Sequence, residues 1–375
     1  MKREELFLRK EEQVLFRLRA LFEQYGYRKF KMSKFEEYDF YSDNRRFMNS
    51  ENILTFTGMN GKLLALKPDI TLSIVKTTKA NKTFADKVYY TENVYRAPKG
   101  AGEFKEIMQA GLEYIGDIDN FAEMEVLELA QKSLEATNED YLISLSHMGF
   151  VTGLMEEANL SLPQQKKLLS YISKKSVHGV KSLCEEAAVP EKMSENLQVL
   201  AGLYGSLEEM LPKIKALSCN DKMADAVNEL ENIYTCLKAF DNEDKFYLDF
   251  SIVNDMDYYT GIIFQGYIKG VSSVILSGGR YDNLVHKLGK DADAIGFAVA
   301  LDLLERLQTE EKEYDVDTLL LYDEGTDTIA LTKAAQMLRN NGQTVLATRH
   351  NNGNIKYKQL LHMKERGLEI VTEAN

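Results

Sequence analysis

The sequence is poor in residues that build metal sites and disulfides. Its three cysteines, Cys184, Cys219 and Cys236, show no CxxC spacing, and an odd number argues against a disulfide framework. None of the five histidines forms an HxH or HxxxH pair of the kind that metal sites use. We therefore expect neither a metal site nor a disulfide-stapled fold.

Long apolar runs are also missing. No stretch approaches the roughly 20 apolar residues that a membrane-spanning helix needs. The amino-terminal stretch MKREELFLRKEEQ lacks the apolar centre of a secretion signal. Together with the unpaired cysteines, these absences predict a cytoplasmic protein.

Positive charge is in deficit, with a formal net charge of −12. Proteins that grip nucleic acid usually present a basic face, because Lys and Arg neutralise phosphates. The balance therefore argues mildly against a tRNA- or DNA-binding role. The 375 residues are 44% hydrophobic and 28% charged, which suits a globular protein of about two domains.

Hydrophobic periodicity predicts a mixture of helices and strands in the first domain, residues 1–312. An amphipathic helix is predicted over 4–26, and Asn60-Gly61 is a strong signal for a hairpin turn within 52–77. The remaining predictions are strands at 87–95 and 107–115, a helix at 120–137, a helical segment over 153–243, and strands at 246–253, 262–268 and 273–276.

The residues after 312 have the pattern of a separate, small α/β domain, 313–375. The charged stretch Gln308–Glu313 resembles a linker. After it, the strands DTLLLY, QTVLAT and LEIVTE alternate with predicted helices over 326–340 and 354–366. The second of these helices carries several basic groups, which we interpret as a solvated face.

Two polar side chains follow an apolar strand in the segment KPDIT. Residues i and i+2 of an extended chain face the same side, so Asp69 and Thr71 could together hold an ammonium group. A strand end with solvated polar side chains is the alternative interpretation.

The segment MQAGLE repeats this alternation. Gln109, Gly111 and Glu113 share one face of the predicted strand, so an amide and a carboxylate flank a glycine that leaves room for a small polar ligand. A strand with one face in solvent would give the same pattern.

Two further segments combine aromatic residues with glycine. Tyr258 and Tyr259 precede an apolar run and could offer hydroxyls to a heterocycle or pack as core aromatics. The segment SGGRYD predicts a glycine turn before a helix. It lacks both phosphate-binding patterns, GxGxxG and GxxxxGK[ST].

In this order, the segments resemble histidyl-tRNA synthetase, a class II aminoacyl-tRNA synthetase, over roughly residues 1–307. KPDIT is similar to the family's [RK]PE-x-T element, Tyr95-Arg96 to the start of motif 2, and IMQAGLEYIG to FHQxGxExxG. MDYYTGIIF is similar to LDYYxxxxF, and SGGRYDNLVHKLG and AIGFAVALDLL continue into motif 3. The resemblance implies an α+β fold with a class II antiparallel sheet flanked by helices.

The resemblance also implies a histidine pocket. Asp69, Thr71 and Gln109 would hold the α-amino group, Glu113 and Tyr259 would face the imidazole, and Tyr258 would line the pocket. Asp69 stands where the synthetase has glutamate, as is common in regulatory paralogues.

The groups for ATP chemistry depart from the family pattern. The arginine of RGLDYY is replaced within Asn254–Asp257, and the motif 3 arginine falls at Leu303. Motif 3 has Ala300 for its glycine, and motif 1 has Ser33 for its proline. Motif 2 keeps Arg96, but the loop after it lacks RxER, so Arg96 would mark a vestigial nucleotide site.

A chain that keeps ligand groups and loses transition-state groups is typical of a sensing module. Within the family, this implies the regulatory subunit that partners the short form of ATP phosphoribosyltransferase, the first enzyme of histidine biosynthesis. It implies a hetero-oligomer that includes a dimer of this chain, with histidine as feedback ligand and no cofactor. A working histidyl-tRNA synthetase with divergent motifs, or a synthetase-like protein that binds tRNA or another protein, are the alternatives.

Overall fold

The computed structural model describes residues 8–45, 52–97, 103–138, 140–253, 258–307, 314–351, 353–364 and 367–373. They form two compact units, one over Arg9–Leu307 and one consisting mainly of the described residues after Leu307. The predicted linker Gln308–Glu313 lies outside the described residues.

The helices in the described ranges have the following bounds: α1 Lys10–Gln24, α2 Tyr38–Asp43, α3 Thr71–Thr77, α4 Asn120–Thr137, α5 Met148–Glu157, α6 Leu162–Ile172, α7 Val177–Glu186, α8 Glu191–Gly202, α9 Leu207–Leu217, α10 Asp221–Ala239, α11 Asp282–Lys287 and α12 Thr328–Asn340. A 3₁₀ helix covers Leu301–Leu307.

The strands have the following bounds: β1 Arg28–Lys29, β2 Phe35–Glu37, β3 Thr55–Thr57, β4 Leu63–Leu66, β5 Asp86–Arg96, β6 Lys105–Gly116, β7 Tyr141–His147, β8 Tyr204–Ser206, β9 Phe246–Asp249, β10 Ile262–Ile268, β11 Leu276–Arg280, β12 Asp293–Ala300, β13 Val316–Tyr322, β14 Val345–Thr348, β15 Tyr357–Lys364 and β16 Gly367–Glu373.

A nine-stranded sheet in the order β1-β5-β6-β12-β11-β10-β7-β9-β8 forms the larger unit. From β5 to β7 in this order all neighbours are antiparallel, whereas β1–β5 and β7–β9 are parallel pairs. Alternation along β5 sends Tyr89 into one apolar core with α1 and α4, and Tyr90 into another with α3 and α11. The predicted antiparallel sheet flanked by helices is confirmed.

Local signals account for the elements that the periodicity predicted well. Helix α4 begins where the Asp119 side chain accepts a hydrogen bond from the Ala122 N–H at 2.9 Å. The hairpin β3–β4 turns at Gly61, whose φ of 78° suits a residue without a side chain. The predicted helical segment consists of α5–α10, interrupted by the unpredicted short strand β8, which pairs with β9.

The smaller unit is a four-stranded sheet in the order β14-β13-β15-β16, with α12 packed against it. The prediction of a helix over 354–366 is wrong, since β15 pairs with β13 and β16. Leu360 and Leu361 are both buried because a β-bulge between them shifts the register, and this hides the period of two in a segment rich in helix formers.

No helix in the described ranges combines the length and the apolar character that crossing a bilayer requires. Among the same residues, no three or more His, Cys, Asp or Glu side chains are grouped in a way that could hold a metal ion.

Candidate functional site

A cavity opens on the face of the large sheet that α3 and α11 cover. All seven residues that the resemblance assigned to ligand or nucleotide contact line it: Asp69, Thr71, Arg96, Gln109, Glu113, Tyr258 and Tyr259. The residues come from four separate stretches of chain, so the sheet and its flanking helices create the site.

Asp69 and Thr71 reach the cavity by a different geometry from the predicted one. Thr71 is the first residue of α3, and Asp69 precedes it in a turn, so the alternation of an extended chain does not apply. Asp69 Oδ1 accepts a hydrogen bond from the Leu72 N–H at 2.9 Å and thereby satisfies a free amide of the first helical turn. Burial raises the pKa of Asp69, while Arg96 and the amides of Leu72 and Thr71 oppose the rise.

Arg96 lies at the end of β5, beside Asp69. Its Nη2 is 3.5 Å from Asp69 Oδ2, and its Nε donates to the Pro68 carbonyl oxygen at 2.6 Å. Among the residues described around the cavity, Arg96 is the one cation. The cavity therefore offers two carboxylates, Asp69 and Glu113, against one guanidinium.

Glu113 is a buried carboxyl at the floor of the cavity. Its Oε1 accepts from the Thr71 hydroxyl at 2.7 Å, and its Oε2 accepts from the Tyr281 hydroxyl at 2.6 Å. Burial raises the pKa of Glu113 to about 8, although both hydroxyl donors favour the charged form; the charge of Asp69 adds to the rise.

Glycines leave room for the polar groups of the site. A Cβ on Gly296 of β12 would overlap Glu113 Oε2, and a Cβ on Gly279 would lie 2.7 Å from the Tyr259 ring. The predicted glycine turn at Ser277–Asp282 is wrong, because Gly278 and Gly279 lie inside strand β11. Their function here is close approach of the neighbouring strands rather than turning.

Tyr258 and Tyr259 combine both roles that the sequence left open. Their rings form a T-shaped pair with centroids 4.6 Å apart, pack against the apolar core under α3, and line the cavity.

Sequence reasoning missed two tyrosines of the site, Tyr90 and Tyr281. Tyr90 on β5 is directly opposite Gly111 on β6, and its hydroxyl makes no hydrogen bond to any other residue in the described ranges. Tyr281 belongs to the singled-out segment SGGRYD, but its bond to Glu113 depends on strand pairing that the sequence does not reveal.

Of the described departures from the synthetase pattern, Leu303 packs away from the cavity, whereas Ala300 lies on the sheet face that Gln109 occupies. Leu303 lies in the 3₁₀ helix and packs against the core under α1 and α4, and Ala300 pairs with Gln109 at the end of β12. Asn254–Asp257, and the motif 2 loop after Ala97, lie outside the described residues.

The family model described as histidyl-tRNA synthetase matches residues 4–304. A curated relative from Acetivibrio thermocellus, named ATP phosphoribosyltransferase regulatory subunit, is 31% identical over 317 residues, which cover 82% of this chain and 76% of the relative. A protein of the same name from Clostridium kluyveri is 31% identical over 344 residues, covering 89% and 88% of the two chains.

Two solved structures share the fold. A Bacillus halodurans protein described as an ATP phosphoribosyltransferase regulatory subunit/histidyl-tRNA synthetase superposes with a TM-score of 0.76 at 23% identity, covering 94% of this chain and 93% of its own. A chain of the ATP phosphoribosyl transferase (HisG:HisZ) complex from Thermotoga maritima gives 0.61 at 18% identity, covering 76% and 95%. The synthetase-like fold is thus confirmed, and the chain belongs to the histidyl-tRNA synthetase family and, within it, to the ATP phosphoribosyltransferase regulatory subunits.

Proposed function

We propose that the cavity binds free L-histidine and that this chain is the non-catalytic subunit that a short-form ATP phosphoribosyltransferase needs for activity and for feedback inhibition. The observation that carries the proposal is the composition of one cavity. Six residues suited to an amino acid surround it, whereas a single arginine, Arg96, is the cation among its described lining residues.

Each end of the cavity suits one end of histidine. Asp69, Thr71 and Gln109 offer a carboxylate, a hydroxyl and an amide to the α-ammonium group. Glu113 and Tyr259 offer an acceptor and a hydroxyl to the imidazole, and the ring of Tyr258 forms the wall beside them. Arg96 is the remnant of a nucleotide site.

The same composition disfavours activation of histidine by ATP. Phosphoryl and adenylyl transfers depend on fixed cations around the reacting phosphates, and loss of one such donor typically costs on the order of 10²–10³ in rate. The position of the motif 3 arginine holds Leu303, a half-buried side chain that packs against the core. Lysine does not replace the planar fork of an arginine.

The remaining parts of the proposal concern partners. The names of the relatives and the likeness to a chain of the T. maritima complex support a hetero-oligomer with the catalytic subunit. A dimer of this chain within it is supported by exposed apolar side chains on the small sheet β2-β4-β3, where Phe35 and Phe56 form a T-shaped pair 5.6 Å apart. We place the complex in the cytoplasm and the histidine site in residues 1–312, with 313–375 as a separate domain.

Co-purification with a short-form ATP phosphoribosyltransferase tests the proposal. We expect a stable complex in which the catalytic subunit is active, inhibited by histidine, and nearly inactive when this chain is left out. A catalytic subunit whose activity and histidine response are the same with and without this chain would refute the proposed function.

A further inference from the structure

Arg280, at the end of β11, is surrounded by carboxylates from three elements. Its Nη1 donates to Glu123 Oε1 of α4 at 2.9 Å, its Nε to Asp282 Oδ2 of α11 at 2.8 Å, and its Nη2 to Asp293 Oδ2 of β12 at 3.1 Å. We call these four residues the Arg280 cluster. All three nitrogens of the Arg280 guanidinium donate to carboxylates of the protein, so Arg280 does not offer a hydrogen bond to a ligand in the cavity.

The Arg280 cluster fixes one wall of the cavity through the backbone. The Arg280 carbonyl oxygen accepts from the Thr260 N–H at 2.9 Å, and the Thr260 hydroxyl oxygen accepts from the Asp282 N–H at 3.2 Å. Thr260 directly follows Tyr258 and Tyr259 in the chain.

Tyr281, the residue after Arg280, holds the floor of the cavity. Its hydroxyl donates to Glu113 Oε2 at 2.6 Å. Both groups proposed to contact the imidazole, Glu113 and Tyr259, are thus separated from Arg280 by one hydrogen bond and one step along the chain.

The other side of the Arg280 cluster adjoins the helical segment. Glu229 Oε2 of α10 forms a hydrogen bond with His147 Nε2 at 2.6 Å. His147 is the last residue of β7 and directly precedes α5. Burial is the largest cause that raises the pKa of Glu123. The charge of Glu229 raises this pKa further, whereas His147 lowers it. Glu123 of α4 and Glu229 of α10 flank residues of the same apolar core, where the two helices pack against each other, so the His147–Glu229 pair adjoins the helix that holds Glu123.

Stability alone is a poor reason for such an arrangement. Buried ion clusters often contribute little, because desolvation of the charges offsets their attraction. Here three carboxylates meet one guanidinium, and Lys82 and His286 are the further positive or titratable groups that contact Asp293. A role in positioning accounts for the geometry, because the planar guanidinium of Arg280 holds α4, α11 and β12 in place around the cavity wall.

We propose that Arg280 is the positioning residue of the imidazole end of the cavity, and that Glu123 and the His147–Glu229 pair carry the occupancy of the cavity to α10. The inference rests on the proposed histidine binding. Binding orders Glu113 and Tyr281, the Arg280 cluster tightens with them, and α10 becomes less mobile through Glu229.

The first test replaces Arg280. Arg280→Lys keeps the charge but loses the fork, so we expect histidine affinity, measured by isothermal titration calorimetry on the full chain, to fall roughly tenfold or more. The thermal unfolding midpoint of the same samples shows whether the variant is folded. A folded Arg280→Lys chain with wild-type affinity would exclude the positioning role.

The second test changes the far end, away from the cavity, and remains informative if Arg280→Lys does not fold. Glu229→Gln weakens the link to His147 and Glu123, whereas the matched control Glu231→Gln, also on α10, removes an exposed ion pair with Lys215 at 2.8 Å. The readout is hydrogen–deuterium exchange of Asp221–Ala239 with and without L-histidine.

We expect histidine to slow exchange in α10 of the wild type and of Glu231→Gln, and to leave exchange in α10 of Glu229→Gln unchanged although histidine still binds with an affinity within about twofold. Slowing of the same size in Glu229→Gln and in the wild type would exclude the link. A wild-type chain that gives no histidine binding heat would overturn the proposed function and this inference together, whereas failure confined to the variants overturns only the inference.

Discussion

Glu113 determines how the empty cavity responds to pH. Its pKa is about 8 in the folded chain, against an ordinary value of 4.5, because it is buried. Between these two values the folded state holds a proton that the unfolded state has lost. Stability of the unliganded chain must therefore be greatest below pH 4.5 as far as this group is concerned, and must fall as pH rises towards 8.

The Glu113→Gln variant tests both the raised pKa of this residue and its proposed contact with histidine. The amide imitates the protonated acid, so we expect the variant to be more stable than the wild type by on the order of 3 kcal/mol at pH 8, with most of that difference gone at pH 5. Urea unfolding at the two pH values measures it. Histidine affinity should fall because the acceptor for the imidazole is lost; an equal stability difference at both pH values would disprove the assignment of the proton.

Tyr90 is the second residue with a direct prediction. It is 2% exposed and lines the cavity over Gly111 with a hydroxyl that has no partner in the described ranges, so the proposed ligand supplies one. We expect Tyr90→Phe to weaken histidine binding by about tenfold with little change in unfolding temperature.

Tyr89→Phe is the matched control for this experiment. Tyr89 is the neighbouring residue on the opposite face of β5, and its hydroxyl donates to Glu23. Calorimetry should show unchanged histidine affinity in this variant. If both variants bind equally well, Tyr90 makes no contact with the ligand.

At the scale of elements, the close pairing of β6 and β12 shapes the floor of the cavity. Gly296 is opposite Glu113, and a Cβ there would overlap the carboxylate oxygen. We expect Gly296→Ala to displace Glu113, abolish measurable histidine binding and cost about 1–3 kcal/mol of unfolding free energy.

Gly202→Ala is the control, since its Cβ would meet only Val177 Cγ2, at 3.8 Å, at the end of helix α8. Binding and unfolding measurements on the two alanine variants separate the local clash from a general effect of replacing glycine. Histidine affinity of Gly296→Ala equal to that of Gly202→Ala would contradict the packing argument.

The elements predicted well from the sequence are those whose signals are local. Helix α4 has an amphipathic pattern and a capping Asp119, and strand β10 is a continuous apolar run. Strand β15 was missed because a bulge breaks its alternation. Gln109 and Glu113 were placed correctly on one strand face, whereas Thr71 reaches the cavity from a helix start, and Tyr90 and Tyr281 reach it through strand register that a single sequence does not encode visibly.

At the scale of the whole molecule, the net charge argues mildly against a protein that binds tRNA. The chain carries a formal net charge of −12. Because phosphate contacts supply much of the affinity for nucleic acid, we expect weak tRNA binding at physiological salt, measured by gel retardation against an active histidyl-tRNA synthetase as the control. Retention of tRNA as tight as that of the control would favour the alternative in which the chain serves tRNA.

The central proposal, that the chain binds histidine without activating it, rests on the cavity, the family and the missing arginines together. Histidine-dependent exchange of pyrophosphate into ATP, measured on the purified chain with magnesium, tests it most directly. We predict no exchange above a blank without histidine, in a sample that binds L-histidine by calorimetry. Robust histidine-dependent exchange would show a working synthetase and contradict the account.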